Sequence, residues 1–450
     1  MKENIKSTIK ELQTFLILWI TQAFSGLGSS MTSFALIVWS YQQKGSALST
    51  SLLSVCSYMP YVLFSIFAGA ISDKWDKKKI LLLSDSFAAL STVTVLVLLK
   101  TGHLEVWHLY LLNAFTGLMN TIQQPAADVT MSLLIPKKHY QKTSGMRSLS
   151  NSLVTLLAPV LATAILTLSS MNVIIIFDLL TFFIAFISLL LFIKIPKLTY
   201  NLSEKGESFS QAIRCGLRYL KDNRGIFDLI LFLAAINFIA SIYNAALPAM
   251  LLSRKGGGEH VLGFVNACTG IATLAGSMLM TFLPAPKSRV RIIVNSLLFS
   301  MCTENFILAF GRNGITWCLG AIAGWIFIPI MGANMDVIFR MKIPVEIQGR
   351  VYATRNTLQF FTIPIGYLFG GLLVDRLFEP FMKMQPADSL WIKLFGSGKG
   401  SGAAVLFLII GIAGTVACLI FRKNRHIWQL EKEDIEDKEN MEDSSGSITV

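Results

Sequence analysis

Residues 171–194 read MNVIIIFDLLTFFIAFISLLLFIK, with a single charge, Asp178, between Met171 and Leu191. A bilayer core of roughly 30 Å needs about 20 apolar residues in helical form to cross it. Lipid offers backbone N–H and C=O groups no partner, so such a run must satisfy itself as a helix. Eleven other runs have the same character. Five lie before it, near 14–40, 48–72, 79–100, 107–135 and 143–169. Six lie after it, near 226–252, 260–284, 290–310, 315–339, 351–374 and 402–421. Composition agrees: 53% of the 450 residues are hydrophobic and 15% are charged, against roughly 25% charged in soluble chains. The predicted fold is an all-α membrane protein of twelve transmembrane helices.

The net charge of +12 does not point to nucleic acid, because the basic residues sit in short connections between apolar runs with no basic, aromatic-interleaved stripe. With the N-terminus inside, thirty of the 39 Lys and Arg fall on the inner side. That bias predicts a multi-pass chain with both termini cytoplasmic. Six cysteines (Cys56, Cys215, Cys268, Cys302, Cys318, Cys418) include no CxxC pair, and five lie in apolar runs. They read as small core residues, with no disulfide framework and no metal site. The polar start, Met1 to Glu11, precedes a full-length run, which reads as a retained helix rather than a cleaved signal.

The layout divides into a six-helix half over 1–194, a cytoplasmic linker over 195–225, a second six-helix half over 226–421 and a charged tail over 422–450. Within the linker, Phe209, Ile213, Leu217 and Leu220 share one helical face, with Arg214, Arg218 and Lys221 elsewhere. That pattern predicts an amphipathic helix at the membrane interface. The halves carry a sparse internal repeat. Asp128-Val129, Ile135-Pro136 and Arg147 recur as Asp336-Val337, Ile343-Pro344 and Arg355, at a constant offset of 208. Both blocks border cytoplasmic loops, so the predicted repeat is parallel, which places a substrate site between the halves near the midplane.

The loop after the second run reads Gly69-Ala-Ile-Ser-Asp73-Lys74-Trp-Asp76-Lys77-Lys78. It resembles the signature G-x-x-x-D-R-x-G-R-[RK] of the major facilitator superfamily. Gly69, Asp73 and Lys78 match; Lys74 and Lys77 replace Arg in charge but not in fork geometry. Asp76 stands at the second glycine position, where a less permissive turn is expected. The resemblance implies a cytoplasmic gate. Gly69 lets helices approach, Asp73 faces the positive start of the eleventh helix near Arg350 and Val351, and Lys77 or Lys78 reaches Asp128. Arg147, Asp336 and Arg355 complete the gate set.

A narrower resemblance, to the macrolide-efflux branch of drug:proton antiporters, covers nearly the whole chain. It rests on the order of Trp19-x-x-Gln22-x-x-Ser25, Gly45-Ser46-Ala47, Gly349-Arg350-Val351, Pro364-Ile365-Gly366 and Gly371 through Asp375. Phe378-Glu379-Pro380 and the glycine-rich Gly396 to Gly402 look like a bacterial subset of that branch, which implies a bacterial inner membrane. Two departures stand out. The fourth run has Asn113-Ala-Phe-Thr116-Gly117 where such exporters often carry an Arg. The fifth has Ala158-Pro159 where antiporters often have Gly-Pro, so a proline kink is kept without that motif.

Charges inside a membrane are costly and are functional candidates by default. Asp178, Glu304 and Asp85 qualify, and no deep Arg or Lys is placed to pair with them. A desolvated carboxyl holds its proton more tightly, so each is a candidate proton carrier. The alternative is a neutral carboxyl that ties two helices. In the resembled family the first, fourth, seventh and tenth helices line the cavity. The polar and aromatic residues there are Gln22, Ser29, Asn113, Asn120, Asn237, Tyr243, Asn244, Trp325 and Asn334. An apolar pocket with a few polar anchors suits amphiphilic compounds, and no acid on the first helix argues for strongly cationic ones.

Gly396-Ser-Gly398-Lys399-Gly400-Ser401 fails the phosphate-loop spacing G-x-x-x-x-G-K-[ST]. No cofactor and no enzyme activity are expected, so the energy is expected to come from an ion gradient or from substrate flow. The leading expectation is secondary-active efflux of hydrophobic small molecules such as macrolide-like antibiotics by proton antiport. The partners are then a small-molecule substrate, protons and the lipid bilayer, with the protein a monomer. Export of a self-made metabolite or siderophore, lysolipid movement, and a non-transporting membrane sensor remain open alternatives, since fold does not fix function.

Overall fold

The computed structural model describes residues 11–136, 139–193, 195, 209–282, 286–344 and 347–431. Among them every regular element is helical. The first six long helices are α1 (Gln13–Lys44), α2 (Ala47–Lys74), α3 (Lys77–Lys100), α4 (Val106–Leu134), α5 (Tyr140–Leu168) and α6 (Met171–Leu191). The linker helix is α7 (Phe209–Asp222), followed by α8 (Arg224–Ser253), α9 (Glu259–Phe282) and α10 (Arg289–Phe310). The expected run at 315–339 is broken into α11 (Gly314–Trp325) and α12 (Ile328–Lys342). The next is broken into α13 (Gln348–Phe360) and α14 (Thr362–Leu372), continued by a π-helical turn, Leu373–Phe378, and the short α15 (Glu379–Lys383). A short α16 (Leu390–Phe395) precedes α17 (Ser401–Arg422).

The breaks follow from proline. Pro329 opens α12 and Pro364 lies early in α14, and each removes a donor from the helical ladder. Ten of these spans are long and apolar enough to cross a membrane. The protein is therefore a multi-pass membrane protein. α1 and α4, at 32 and 29 residues, are long enough but more polar, with Gln22 and Ser29 in the first and Asn113, Asn120 and Gln123 in the second.

Packing relies on close backbone approach. α2 lies against α4, where a Cβ at Gly117 would stand 2.2 Å from the Ser57 carbonyl oxygen. α14 lies against both α8 and α2, and a Cβ at Gly371 would stand 2.6 Å from Leu48 Cα. Only glycine permits these contacts, which replace absent hydrophobic driving force with van der Waals fit. One buried cluster centres on α8, α10 and α17, with Val38, Tyr41 and Ala47 of α1 and α2 joining it. A second gathers Met31, Leu53, Ala162 and Ile174 from α1, α2, α5 and α6.

The two blocks of the sequence repeat take the same local form. Asp128 and Asp336 each lie six residues before a helix end, and the following Ile135 and Ile343 are extended. Arg147 and Arg355 are each the eighth residue of their helix. α7 forms where amphipathy predicts it. Its Leu220 is buried while Leu217 is exposed, and Tyr219 Oη donates to the Lys342 carbonyl at 2.6 Å. Phe209 and Ile213 side chains lie outside the described residues.

Candidate functional site

Glu304 lies midway along α10 and is 4% exposed. Tyr243 Oη of α8 donates to its Oε1 at 2.5 Å, and Trp325 Nε1, at the end of α11, donates to the same atom at 3.1 Å. Neither donor reaches Glu304 by accident of a loop. Phe407 of α17 holds the Tyr243 ring edge-on, with centroids 5.4 Å apart. The break after Trp325 turns its indole into the bundle. Gly324 makes room for the carboxyl: a Cβ there would lie 2.1 Å from Oε2. The cluster lines a cavity of about 260 Å³ together with Asn237, Asn305, Met301, Ile328 and Met331. Asn237 Nδ2 in turn donates to the Gln359 carbonyl of α13 at 3.2 Å. The result is an apolar chamber with one carboxyl, one phenol, one indole and two amides on its wall. A carboxyl so placed can accept two hydrogen bonds and exchange a proton, and the aromatic rings offer flat apolar contact.

The sequence nominated Glu304 as a proton carrier and Asn237, Tyr243 and Trp325 as cavity residues separately; the fold brings the four together. The other candidates disperse. Asp178, also 4% exposed, accepts from Ser29 Oγ at 2.9 Å, so Ser29 joins α1 to α6. Asp85 accepts from Gln123 Nε2 at 2.6 Å and ties α3 to α4. Gln22, Gln123 and Arg147 line a separate cavity of about 200 Å³, closed on one side by Trp19 Nε1 donating to the Met146 carbonyl at 3.1 Å. Asn244 lines a third, of about 150 Å³, with Ser51, Ser54 and Tyr367. Asn113 is bonded to the Leu109 carbonyl of its own helix, and Asn120 is exposed. Asn334 is buried, accepts from Arg289 Nη1 at 3.2 Å and donates to the Ile330 carbonyl.

At the gate, the side chains of Gly69, Asp73, Lys74, Asp128 and Arg350 lie outside the described residues. Lys78, one of the two lysines expected to reach Asp128, lies at the end of α6. Its Nζ donates to the Leu190 and Ile193 carbonyls, at 2.9 and 2.8 Å, and so neutralises the negative end of α6. Lys77 is buried beside the Trp75 carbonyl. Asp76 stands where the signature has its second glycine. It has φ −60° and caps α3 by accepting from the Lys78 and Lys79 amides, so no glycine is required there. Asp336 is exposed, and the Arg355 guanidinium lies over the Phe339 and Tyr352 rings, 4.8 and 5.2 Å from their centroids.

The sequence reading missed a group at the opposite end of the bundle, the end that the Lys and Arg bias assigns to the outside. Asp375, in the π-helical turn, accepts from Ser46 Oγ at 2.6 Å and from the Ala47 and Leu48 amides at 3.0 and 2.8 Å. Glu379 accepts from the Gly400 amide at 2.9 Å, at the start of α17. Tyr41 Oη donates to the Ala249 carbonyl and bonds Ser253, and Gln42 meets Glu259. Just beyond α8, Arg254 donates to the Phe395 carbonyl at 2.6 Å. Burial lowers its pKa to about 10. Gly45-Ser46-Ala47 and Gly371 through Asp375 were both conspicuous in the sequence, but the two lie over 300 residues apart.

Ten spans long and apolar enough to cross a membrane, some of them discontinuous, packed beside an apolar chamber define a multi-pass membrane protein. The profile of the Major Facilitator Superfamily matches residues 18–367, and the chain belongs to that family. Among its relatives, Macrolide efflux protein A of Streptococcus pyogenes is 24% identical over 366 residues, covering 81% of this chain and 90% of the relative. The protein of the same name from Enterococcus faecalis is 24% identical over 325 residues, covering 72% and 99%. An uncharacterized MFS-type transporter, YfiS of Bacillus subtilis, is 21% identical, covering 82% and 89%. Solved structures share the fold. The nucleoside transporter NupG superposes with a TM-score of 0.68 at 11% identity, covering 92% of this chain and all of that one. A bacterial homolog of the human lysosomal transporter Spinster gives 0.64 at 14% identity, covering 95% and 98%.

Proposed function

We propose that this protein is a secondary-active exporter of hydrophobic or amphiphilic small molecules, macrolide-like antibiotics among them. It works by alternating access between two six-helix halves, 1–194 and 226–421, with twelve transmembrane helices in a bacterial inner membrane and both termini cytoplasmic. The proposal extends to proton antiport, with Glu304 as the carrier. The observation that carries it is the placement of Glu304, Tyr243 and Trp325 on the wall of one apolar chamber. Both donors meet Oε1, so a proton added at Oε2 leaves them in place, and the carboxyl can change charge without rebuilding its surroundings. Relatives named for macrolide efflux support the substrate class. At about 260 Å³, and lined wholly by the 226–421 half, the chamber is below the roughly 300–1,000 Å³ of drug-sized sites, so it serves as the proton site while substrate binds between the halves. One proton crossing 100 mV supplies about 2.3 kcal/mol, a concentration ratio of about fifty.

The test is macrolide uptake into inverted vesicles under an imposed pH gradient. Wild-type accumulation collapses with a protonophore, and Glu304→Gln loses gradient-driven accumulation while retaining substrate binding. Accumulation that survives the protonophore and follows sodium refutes proton antiport. Normal accumulation by Glu304→Gln moves the carrier to Asp178 or Asp85.

A further inference from the structure

The contacts of Asp375 do more than finish a helix. α2 already has a local cap: Ser46 Oγ accepts from the Ser49 amide at 3.1 Å, as an N-cap serine should. Asp375 adds three further hydrogen bonds from a segment 327 to 329 residues away. α2 therefore folds without it, and what Asp375 holds is the distance between α2 and the end of α14. Gly371 allows that distance, since a side chain there would collide with Leu48. The carboxyl sits in a π-helical turn, a local rearrangement that recurs at functional positions. The bonds are charge-assisted, and they face the α2 N-terminus, where the helix dipole favours an anion. They also lie at the end of the bundle. When they break, water replaces them, so opening costs a modest net amount rather than the full price of buried unpaired amides.

We propose that Asp375 is a releasable clamp between the two halves. It holds the two halves together at the end that the charge bias places outside, and it lets go when the transporter opens there. The clamp rests on the alternating-access reading, but not on the substrate or the coupling ion. It is the counterpart of the basic loop at Gly69 to Lys78, at the opposite end of the same α2. Because it opposes opening, losing it shifts the conformational equilibrium toward the open state, in proportion to its differential contribution in the two states.

The experiment places a reporter cysteine behind the clamp. Ser51 is buried, bonded to the Ala47 carbonyl and adjacent to Gly371. Ser51→Cys is made in the full chain, and labelling by a membrane-impermeant maleimide is timed in intact cells and in inverted vesicles, so that either orientation reports. The native Cys418, fully buried in α17, serves as the unfolding control. Asp375→Ala is expected to raise the labelling rate of the reporter by on the order of tenfold with Cys418 unlabelled. Ser46→Ala, which removes one of the three bonds and the local cap's hydroxyl, gives a smaller rise. Asp375→Asn, which keeps one acceptor oxygen, falls between wild type and Asp375→Ala. Unchanged labelling in Asp375→Ala overturns the clamp. So does labelling of Cys418 in step with the reporter, which makes Asp375 a general staple of the fold. Asp375→Asn and Ser46→Ala decide the matter if Asp375→Ala does not insert. None of these outcomes uses substrate, so a failed efflux assay and a failed clamp are told apart.

Discussion

Glu304, Tyr243 and Trp325 act on one oxygen atom, so they should not behave as independent residues. Tyr243→Phe and Trp325→Phe each remove one donor to a buried carboxyl and should each lower stability by about 1–3 kcal/mol. Their double variant should fall short of the sum, since the second loss finds Glu304 already underbonded. Thermal unfolding of the purified protein in detergent measures both effects; strict additivity would show that the two donors serve separate ends. Gly324→Ala forces a methyl group into the Glu304 carboxylate and should cost about 1–3 kcal/mol by overpacking. Glu304→Ala on top of it restores the melting temperature but not gradient-driven uptake, which separates the space Glu304 fills from the proton it carries. The residues themselves were legible in the sequence, because an acid or a tryptophan within an apolar run is conspicuous. Their meeting was not. Glu304 is 61 residues from Tyr243 and 21 from Trp325, and no helical period connects them.

Asp73, in the last turn of α2, and Asp76, the cap of α3, stand three residues apart and should separate stability from transport. Asp76 accepts two amides at the start of α3, so Asp76→Ala should lower stability by about 1 kcal/mol with efflux per folded molecule unchanged. Asp73→Asn, and Asp128→Asn likewise, should leave membrane insertion normal and sharply lower efflux. Wild-type efflux from both at equal expression would remove the gate reading. The family pattern made Asp76 look like a defect in a glycine turn. The structure makes it a cap, because a carboxylate satisfies the free amides of a helix start that a glycine leaves to water. Lys78 shows the same limit. Charge pattern located it at the membrane surface, but only packing could say that the Leu190 and Ile193 carbonyls at the end of α6 receive it.

Across the whole molecule, the Gly69 to Lys78 loop and Asp375 lie at opposite ends of α2, so their loss should bias the protein in opposite directions. Distances between spin labels on exposed residues Thr101 and Lys255, at the Asp375 end, should lengthen in Asp375→Ala and shorten or stay fixed in Asp73→Asn. Lengthening in both would mean that α2 responds to any damage rather than to a gate. The sequence by itself determined that the chain is helical and membrane-crossing, where most spans run, and which family it belongs to. Those properties follow from local composition: twenty apolar residues in lipid have no alternative to a helix, and the signature loop is contiguous. It also determined the paired Asp-Val, Ile-Pro and Arg blocks, which take the same local form at both positions. Only the tertiary structure decided where spans break, which candidate carboxyl faces a chamber and which ties two helices, and that Asp375 reaches across to α2. The carboxyl environments and the reach of Asp375 depend on contacts between helices far apart in the chain, and such contacts leave no periodic trace in either partner alone.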